Sequence, residues 1–378
     1  MKTKKILKLN QTGKNVLLVF FIILVIIMIP FGIKIYKQNN LKSLSYDKQA
    51  VNSIMNKKAY KEVIDVGYSD TINNCVKTKS FNKENLKSYK KINYVKQKDF
   101  CTNINKLLDK KYTVKETNNI TKNSTNDSLN EFVKKDYIEN ISSYLKYDYA
   151  KTKNIDRYIK YYNETRDSYD NIVIFVNIGL DNDFYTDTTT TDDYSDTVLV
   201  NKYCSVSEKY KPKKLRKIDK SFWVDNEEQY AADVAASAFE EMAKKAAEEN
   251  IYILANSTYR SYEKQEEVFN TYKDLYGEKY ALKYAAKPGF SEHQTGLVID
   301  VASKTEDIFA NSKEYPWMKE NSYKYGFIQR YEKGKEDITG YKSEAWHYRY
   351  VGKKIAKYIH EHDITYEEYY YRFIDKEK

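Results

Sequence analysis

The longest apolar run in the chain lies near its start. The segment NVLLVFFIILVIIMIPFGI, residues 15–33, carries no charged residue. As a helix it would span roughly 28 Å at ~1.5 Å per residue, close to the hydrocarbon thickness of a bilayer. Lysines are denser before this run than after it, which predicts a cytoplasmic N-terminus and an extracellular remainder after Tyr36. A cleaved signal peptide is the alternative, but its apolar core is usually shorter and ends at a small-residue site, which GIKIYKQNN lacks.

The following stretch, to about residue 197, is polar and rich in Asn and Tyr. Two segments 44 residues apart, beginning at Val63 and Leu107, share an apolar pair, an Asp, and a Tyr followed by Ser or Thr. Because Ser and Thr cap helices, we predict short helical hairpins there. Farther along, NIDRYIKYYNETR has helical periodicity, NIVIFVNIGL is interpreted as a strand, and YTDTTTTDDYSDT is interpreted as an exposed loop.

The last part of the chain alternates helical and strand patterns. Residues 226–249 predict a helix, IYILAN predicts a buried strand, and SYEKQEEVFNTYKDLYG predicts a second helix capped by Ser261 and ended by Gly277. GLVIDVAS and AWHYRYVG predict two more strands. Elements of these types and lengths indicate an α+β domain with a small antiparallel sheet.

Composition narrows the functional classes. The low mean hydropathy of −0.78 excludes a polytopic membrane protein. The net charge of +10 is diffuse and suits a protein near anionic cell-surface polymers or lipid headgroups, and nothing indicates nucleic acid as a partner. Of the three cysteines, Cys75 and Cys101 would close the shorter disulfide loop and leave Cys204, whereas three unpaired thiols are equally compatible with the pattern.

Two of only four histidines lie among these last strands, each near an acid. His293 precedes Asp300 in SEHQTGLVID, and His347 follows Glu344 in SEAWHYRY. Two imidazoles and a carboxylate are a common ligand set for catalytic zinc, and a neighbouring glutamate suits a general base. Ordinary packed histidines are the alternative. In a regular strand residues 344 and 347 would face opposite sides, so the hypothesis requires a bulge or turn between them.

Three strings together resemble a known family. STYRSYEKQEEVF, KPGFSEHQTGLVIDVAS and EAWHYRYVG occur in the order seen in the VanY-type D-alanyl-D-alanine carboxypeptidases of the zinc-dependent M15 peptidase family. The resemblance covers residues 198–378 and implies a fold of the Hedgehog/D-Ala-D-Ala peptidase type. It leaves residues 1–36 as a basic tail with a transmembrane anchor and residues 37–197 as a mostly helical accessory region.

The resemblance also implies a role for each matching residue. His293, Asp300 and His347 would bind one Zn²⁺ per chain, with Glu344 as catalytic base. Arg260 would face the scissile carbonyl.

The substrate-binding residues follow from the same resemblance. Ser291 and Gln265 match positions that hold the terminal residue of the substrate, and Tyr259 and Trp346 would shape the pocket walls.

The implied protein is a single-pass, membrane-anchored peptidase of a Gram-positive envelope that removes the C-terminal D-alanine from peptidoglycan stem peptides. An L,D-carboxypeptidase acting on tetrapeptide stems and a non-catalytic wall-binding protein are the alternatives. A penicillin-binding-type serine peptidase is rejected, because its K-T-G or K-S-G motif is absent from the sequence.

Overall fold

The computed structural model describes residues 11–224 and 227–375. The described chain forms two compact units that divide between Lys146 and Tyr147. The predicted basic tail begins outside the described residues, and the predicted domain boundaries after residues 36 and 197 stay predictions.

The first unit is helical in its described part. Its helices are α1 (Gln11–Ser43), α2 (Lys48–Asn56), α3 (Tyr60–Val66), α4 (Asp70–Cys75), α5 (Leu86–Tyr89), α6 (Phe100–Asp109), α7 (Val114–Lys122), α8 (Asn126–Phe132) and α9 (Ile141–Leu145). Among the described helices, α1 alone has the length and apolar composition of a membrane span, and a signal sequence in this position would share both properties.

The predicted helical hairpins of the first unit are confirmed. The hydroxyl of Ser69 accepts a hydrogen bond from the main chain at the start of α4, and the hydroxyl of Thr113 does so at the start of α7. Cys75 and Cys101 form a disulfide that joins α4 to α6, so the structure selects the paired alternative and leaves Cys204 outside any disulfide.

The second unit combines helices with a four-stranded sheet. Its helices are α10 (Ile155–Thr165), α11 (Tyr169–Ile178), α12 (Asp233–Glu248), α13 (Tyr262–Tyr276), α14 (Glu278–Tyr284), α15 (Glu314–Asn321), α16 (Glu336–Thr339), α17 (Lys353–His362) and α18 (Tyr366–Tyr369). Its strands are β1 (Thr189–Thr191), β2 (Cys204–Val206), β3 (Leu215–Lys217), β4 (Tyr230–Ala232), β5 (Ile253–Ser257), β6 (Val298–Ser303), β7 (Phe327–Tyr331) and β8 (Glu344–Tyr350).

The main sheet confirms the predicted small antiparallel architecture. Its strand order is β5-β6-β8-β7, and each neighbouring pair is antiparallel. The alanine-rich helix α12 packs its buried face, including Phe239 and Met242, into the same apolar core as Ile299 and Tyr348 of the sheet. The predicted caps of α13 are present, since Ser261 accepts from Lys264 and Gly277 ends the helix at φ 84°.

One predicted element was wrong, and a second begins later than predicted. The segment NIVIFVNIGL forms helix α11 rather than a strand, because the hydroxyl of Ser168 caps its first turn and Gly179 ends it in the left-handed region at φ 106°. Its apolar residues are buried nearly all round, so they carry no period that separates helix from strand.

The helix predicted over 226–249 begins at Asp233, since the chain before it pairs with β3 as β4; Asn226 lies outside the described residues. The predicted exposed loop contains the short strand β1, which pairs with β2.

Candidate active site

Strands β6 and β8 bring the predicted metal ligands together. Asp300 and His347 are directly opposed in the antiparallel register. His293 lies on the 3₁₀ turn Glu292–Thr295 that leads into β6. Its Nδ1 is 2.6 Å from the carbonyl oxygen of Thr258. A carbonyl only accepts, so Nδ1 carries the proton and the lone pair of Nε2 points to Asp300.

The spacing of these atoms fits a tetrahedral ion. His293 Nε2 is 3.3 Å from Asp300 Oδ2, and His347 Nδ1 is 3.0 Å from Asp300 Oδ1. Nitrogen and oxygen ligands ~2.0–2.1 Å from a tetrahedral zinc stand about 3.4 Å apart. One ligand atom from each residue falls within a 4.8 Å group. Although His347 Nδ1 is close to the buried Asp300 Oδ1, no described residue donates a hydrogen bond to this oxygen. The donor set and its orphaned oxygen therefore fit Zn²⁺.

A bulge in β8 places Glu344 on the same side as His347. Gln329 of β7 pairs with Tyr348, but Tyr331, two residues on, pairs with Glu344, so β8 has two extra residues in this interval. The predicted irregularity is thereby confirmed, and Glu344 Oε2 lies 3.6 Å from His347 Nδ1. Burial, with a further contribution from the nearby Asp300 charge, raises the pKa of Glu344 to about 7.

Arg260 is held in place by two neutral side chains. It donates to Gln265 Oε1 at 2.7 Å and to Ser257 Oγ at 2.9 Å, and Gln265 Nε2 donates in turn to the carbonyl oxygen of Ala286 at 2.8 Å. A bulge in β5 sets Ser257 opposite Asp300. Burial lowers the pKa of Arg260, but the guanidinium stays charged at neutral pH.

These side chains enclose a cavity of about 160 Å³. Its wall contains Ser291, Gln265 and the half-exposed Trp346 from the predicted substrate-binding set. Tyr259 is not part of the described wall; its main-chain N–H donates to the carbonyl oxygen of Tyr230. The wall also contains Tyr331, whose ring centroid is 4.8 Å from that of His347 and which had no sequence signal.

The sequence analysis missed a buried ion-pair cluster behind the ligands. Glu292 lies 2.9 Å from Arg330 and 3.1 Å from Arg349, and all three side chains are fully buried. Its other oxygen is 3.5 Å from His347 Nε2. Burial favours the neutral acid, but Arg330 and Arg349 outweigh it and hold the pKa of Glu292 well below its usual range. Glu292 therefore places a negative charge beside the His347 nitrogen that faces away from Asp300.

We expect Glu292→Gln to lower the free energy of unfolding of this unit by about 3 kcal/mol, because among the described residues it leaves the buried Arg349 without a carboxylate partner and Arg330 with Glu367 alone. All three tryptophans lie in this unit, so their fluorescence during chemical denaturation measures the effect. The exposed substitution Glu320→Gln is the control. Equal stability of the two variants would contradict a structural role for the cluster.

Fold and site together define a candidate metal-dependent hydrolase centre, and comparisons with known proteins specify the family. Residues 228–353 match the family model "VanY: D-alanyl-D-alanine carboxypeptidase". The chain belongs to this VanY-type family, as the resemblance of its motifs implied.

Each of three relatives covers less than half of this chain. The chain is 42% identical over 179 residues to the putative carboxypeptidase YodJ of Bacillus subtilis, covering 46% of this chain and 66% of that protein. It is 36% identical over 148 residues to a D-alanyl-D-alanine carboxypeptidase of Enterococcus faecalis, covering 36% of this chain and 54% of that protein. A solved structure of a vancomycin-resistance D,D-pentapeptidase VanY in complex with Zn(II) is 30% identical, with 47% of this chain and 99% of that chain covered and a TM-score of 0.41. The matches thus span two thirds or less of the curated relatives' lengths.

Proposed function

We propose that the protein is a membrane-anchored, extracytoplasmic zinc carboxypeptidase that removes the C-terminal D-alanine from peptidoglycan stem peptides. The observation that carries the proposal is the convergence of His293, Asp300 and His347 on one point with Glu344 beside it. Membership of the VanY-type family supports the substrate class. The disulfide of the first unit supports an oxidising compartment.

His293 Nε2, an Asp300 oxygen and His347 Nδ1 are the atoms that would hold one Zn²⁺. When bound, zinc supplies Lewis-acid chemistry, polarising a carbonyl and making water more acidic. The carboxylate of Asp300 contributes negative charge to the site, and Glu292 places a second negative charge beside the ring of His347.

The chain's own residues move protons and stabilise charge. Glu344 accepts a proton from the attacking water and passes it to the leaving amino group of the terminal residue. Arg260 donates to the oxyanion that develops on the scissile carbonyl, and it is preorganised because Gln265 and Ser257 already hold its guanidinium. The tyrosine-lined wall excludes bulk water from this exchange.

The size of the cavity favours a small terminal residue. A volume of about 160 Å³ accommodates a residue with a methyl side chain far better than a large one. Ser291 lies in the wall, where its hydroxyl is available to the terminal carboxylate in addition to capping the turn that carries His293. We propose Ser291 and Gln265 as the residues that orient this end of the substrate, with Trp346 at the rim.

The proposed location rests on α1 and the charges around it. The helix has the length of a membrane span, and the lysine-rich start of the chain favours a cytoplasmic N-terminus. The catalytic unit would then face the wall polymers. Fractionation of cells producing the full chain, with protease added outside, tests anchoring and orientation together.

The activity test uses the full chain in detergent micelles with synthetic stem pentapeptides and tetrapeptides. We expect zinc-dependent release of D-alanine from pentapeptides, loss of that release with a chelator, and insensitivity to β-lactams. Selective cleavage of tetrapeptides would indicate the L,D-carboxypeptidase alternative. Binding of wall fragments without cleavage of either peptide in the presence of zinc would refute the enzyme and favour the wall-binding protein.

A further inference from the structure

A second cavity lies next to the active site within the C-terminal unit. Its volume is about 490 Å³, and we call it the lysine groove. Tyr341 lines both cavities, and the consecutive residues Lys283 and Tyr284 line one each. The ring of Tyr341 is 4.8 Å from that of Tyr331, which packs on His347. The side of Tyr341 thus forms the boundary that the active-site cavity and the groove share.

The groove contains a buried lysine without an acidic partner. Lys202 is 3% exposed, and its Nζ donates to the carbonyl oxygen of Leu282 at 2.7 Å. Its Nζ lies over the rings of Tyr341 at 4.3 Å, Phe184 at 4.9 Å and Tyr185 at 5.7 Å. Among the described residues no carboxylate lies within 4.0 Å of it. An ammonium buried in this way is costly unless a counter-charge completes its surroundings.

Burial lowers the pKa of Lys202 to about 8, so the group is still mostly charged at pH 7. Aromatic rings partly compensate for the lost water, but they leave donor capacity on the ammonium unused, because the carbonyl oxygen of Leu282 is its one hydrogen-bond acceptor among the described residues. The missing interaction is a strong acceptor supplied from the groove.

The other charged residues of the groove also favour a negatively charged ligand. Besides Lys202, its wall contains Lys279, Lys283 and Lys342, against the two acidic residues Glu336 and Asp337. The wall thus has four cations against two anions, and its remaining surface is largely apolar. A partly apolar ligand that carries a carboxylate matches this combination.

We propose that the lysine groove binds the part of the substrate upstream of the cut and that Lys202 pairs with a carboxylate on that part. The inference rests on the proposed function and adds a specificity determinant, an acidic peptide as substrate. The determinant lies outside residues 228–353, the segment that matches the family model, because Phe184, Tyr185 and Lys202 all precede it. The segment before the matched domain thereby contributes to substrate choice.

Two carboxylates of a stem peptide have suitable chemistry, the free α-carboxyl of its γ-linked glutamate and the side-chain carboxyl of a diaminopimelate residue. Four pentapeptides distinguish these two carboxylates. They combine a carboxylate or a carboxamide at the glutamate position with a carboxylate or a carboxamide at the diaminopimelate position. Binding is measured by calorimetry with the full-length Glu344→Gln protein in micelles containing zinc. The substitution prevents turnover of the peptides during the measurement.

We expect one carboxylate to tighten binding roughly tenfold over its carboxamide. Adding Lys202→Met to the Glu344→Gln protein should bring that ratio close to one, whereas Lys354→Met, an exposed lysine on α17, should leave it unchanged. Because the ratio compares two peptides on one protein sample, a partly folded variant does not distort it. Lys283→Met on the exposed rim should reduce the ratio two- to threefold without disturbing the core.

Equal binding of all four peptides, absence of binding, or a ratio that survives Lys202→Met would overturn the inference. Failure of the proposed function has a different signature, because it is the absence of D-alanine release by the wild-type chain. The two experiments therefore distinguish a failure of this inference from a failure of the proposed function.

Discussion

Replacing Glu344 with glutamine is expected to lower kcat about 10³-fold while the protein keeps its zinc. Glutamine has the size of glutamate and preserves the packing of the bulged strand β8, but it accepts no proton. KM should change little, since the amide still fills the same space beside His347. The measurements are steady-state D-alanine release and the zinc content of the same sample by elemental analysis.

The exposed variant Glu320→Gln is the matched control and should retain wild-type activity. The pH profile adds a second readout. A base must be deprotonated to act, so activity should be lost as pH falls through the pKa of Glu344, which burial raises to about 7 and which a bound cation lowers. An acid limb at or below pH 7 is therefore expected in the wild type. Undiminished kcat in Glu344→Gln would refute the assignment of the base.

Replacing Asp300 with asparagine is expected to weaken zinc binding by more than about 100-fold and to abolish measurable activity, since even residues behind the ligands typically contribute 10–100-fold. Asp300 is central in the proposed ligand set, because its carboxylate oxygens lie 3.3 Å from His293 Nε2 and 3.0 Å from His347 Nδ1. Asparagine removes the negative charge and turns one oxygen into a donor. Competition titration with a zinc chelator gives the change in affinity.

Thermal unfolding tests the same site without activity. A metal that binds only the folded state raises Tm, so zinc should stabilise the wild type and not Asp300→Asn. The exposed Asp307→Asn, on the loop after β6, is the control and should respond to zinc as the wild type does. A zinc-dependent rise in Tm that persists in Asp300→Asn would show that the metal binds elsewhere.

Local signals in the sequence predicted the limits of several helices correctly. The capping of α4 and α7 by Ser69 and Thr113, and the limits of α13 at Ser261 and Gly277, depend on contacts within a few residues. These contacts join residues that lie within a few positions of each other, so the sequence pattern reveals them directly. Helix α11 was interpreted wrongly because an apolar run buried nearly all round has no polar face to reveal its period.

Residues that act through distant partners left no such signal. Glu292 is adjacent to His293 in the chain, yet its partners Arg330 and Arg349 follow 38 and 57 residues later. Lys202 is one lysine among many in the sequence, and its burial among three rings depends on packing against Tyr341. Strand β7 likewise depends on pairing with β8.

The order and spacing of short motifs were enough to specify the kinds of side chain at the candidate site, since ligand and base chemistry depend on residue type. They also required a break in β8, because a regular strand separates residues 344 and 347 onto opposite faces. The positions of those side chains depend on pairing between strands that are far apart in the chain. The two-residue bulge, the opposed Asp300 and His347, and the groove around Lys202 arise from such pairing and packing. Long-range contacts leave no periodic pattern in the sequence, so only the tertiary structure, in which distant residues come together, reveals them.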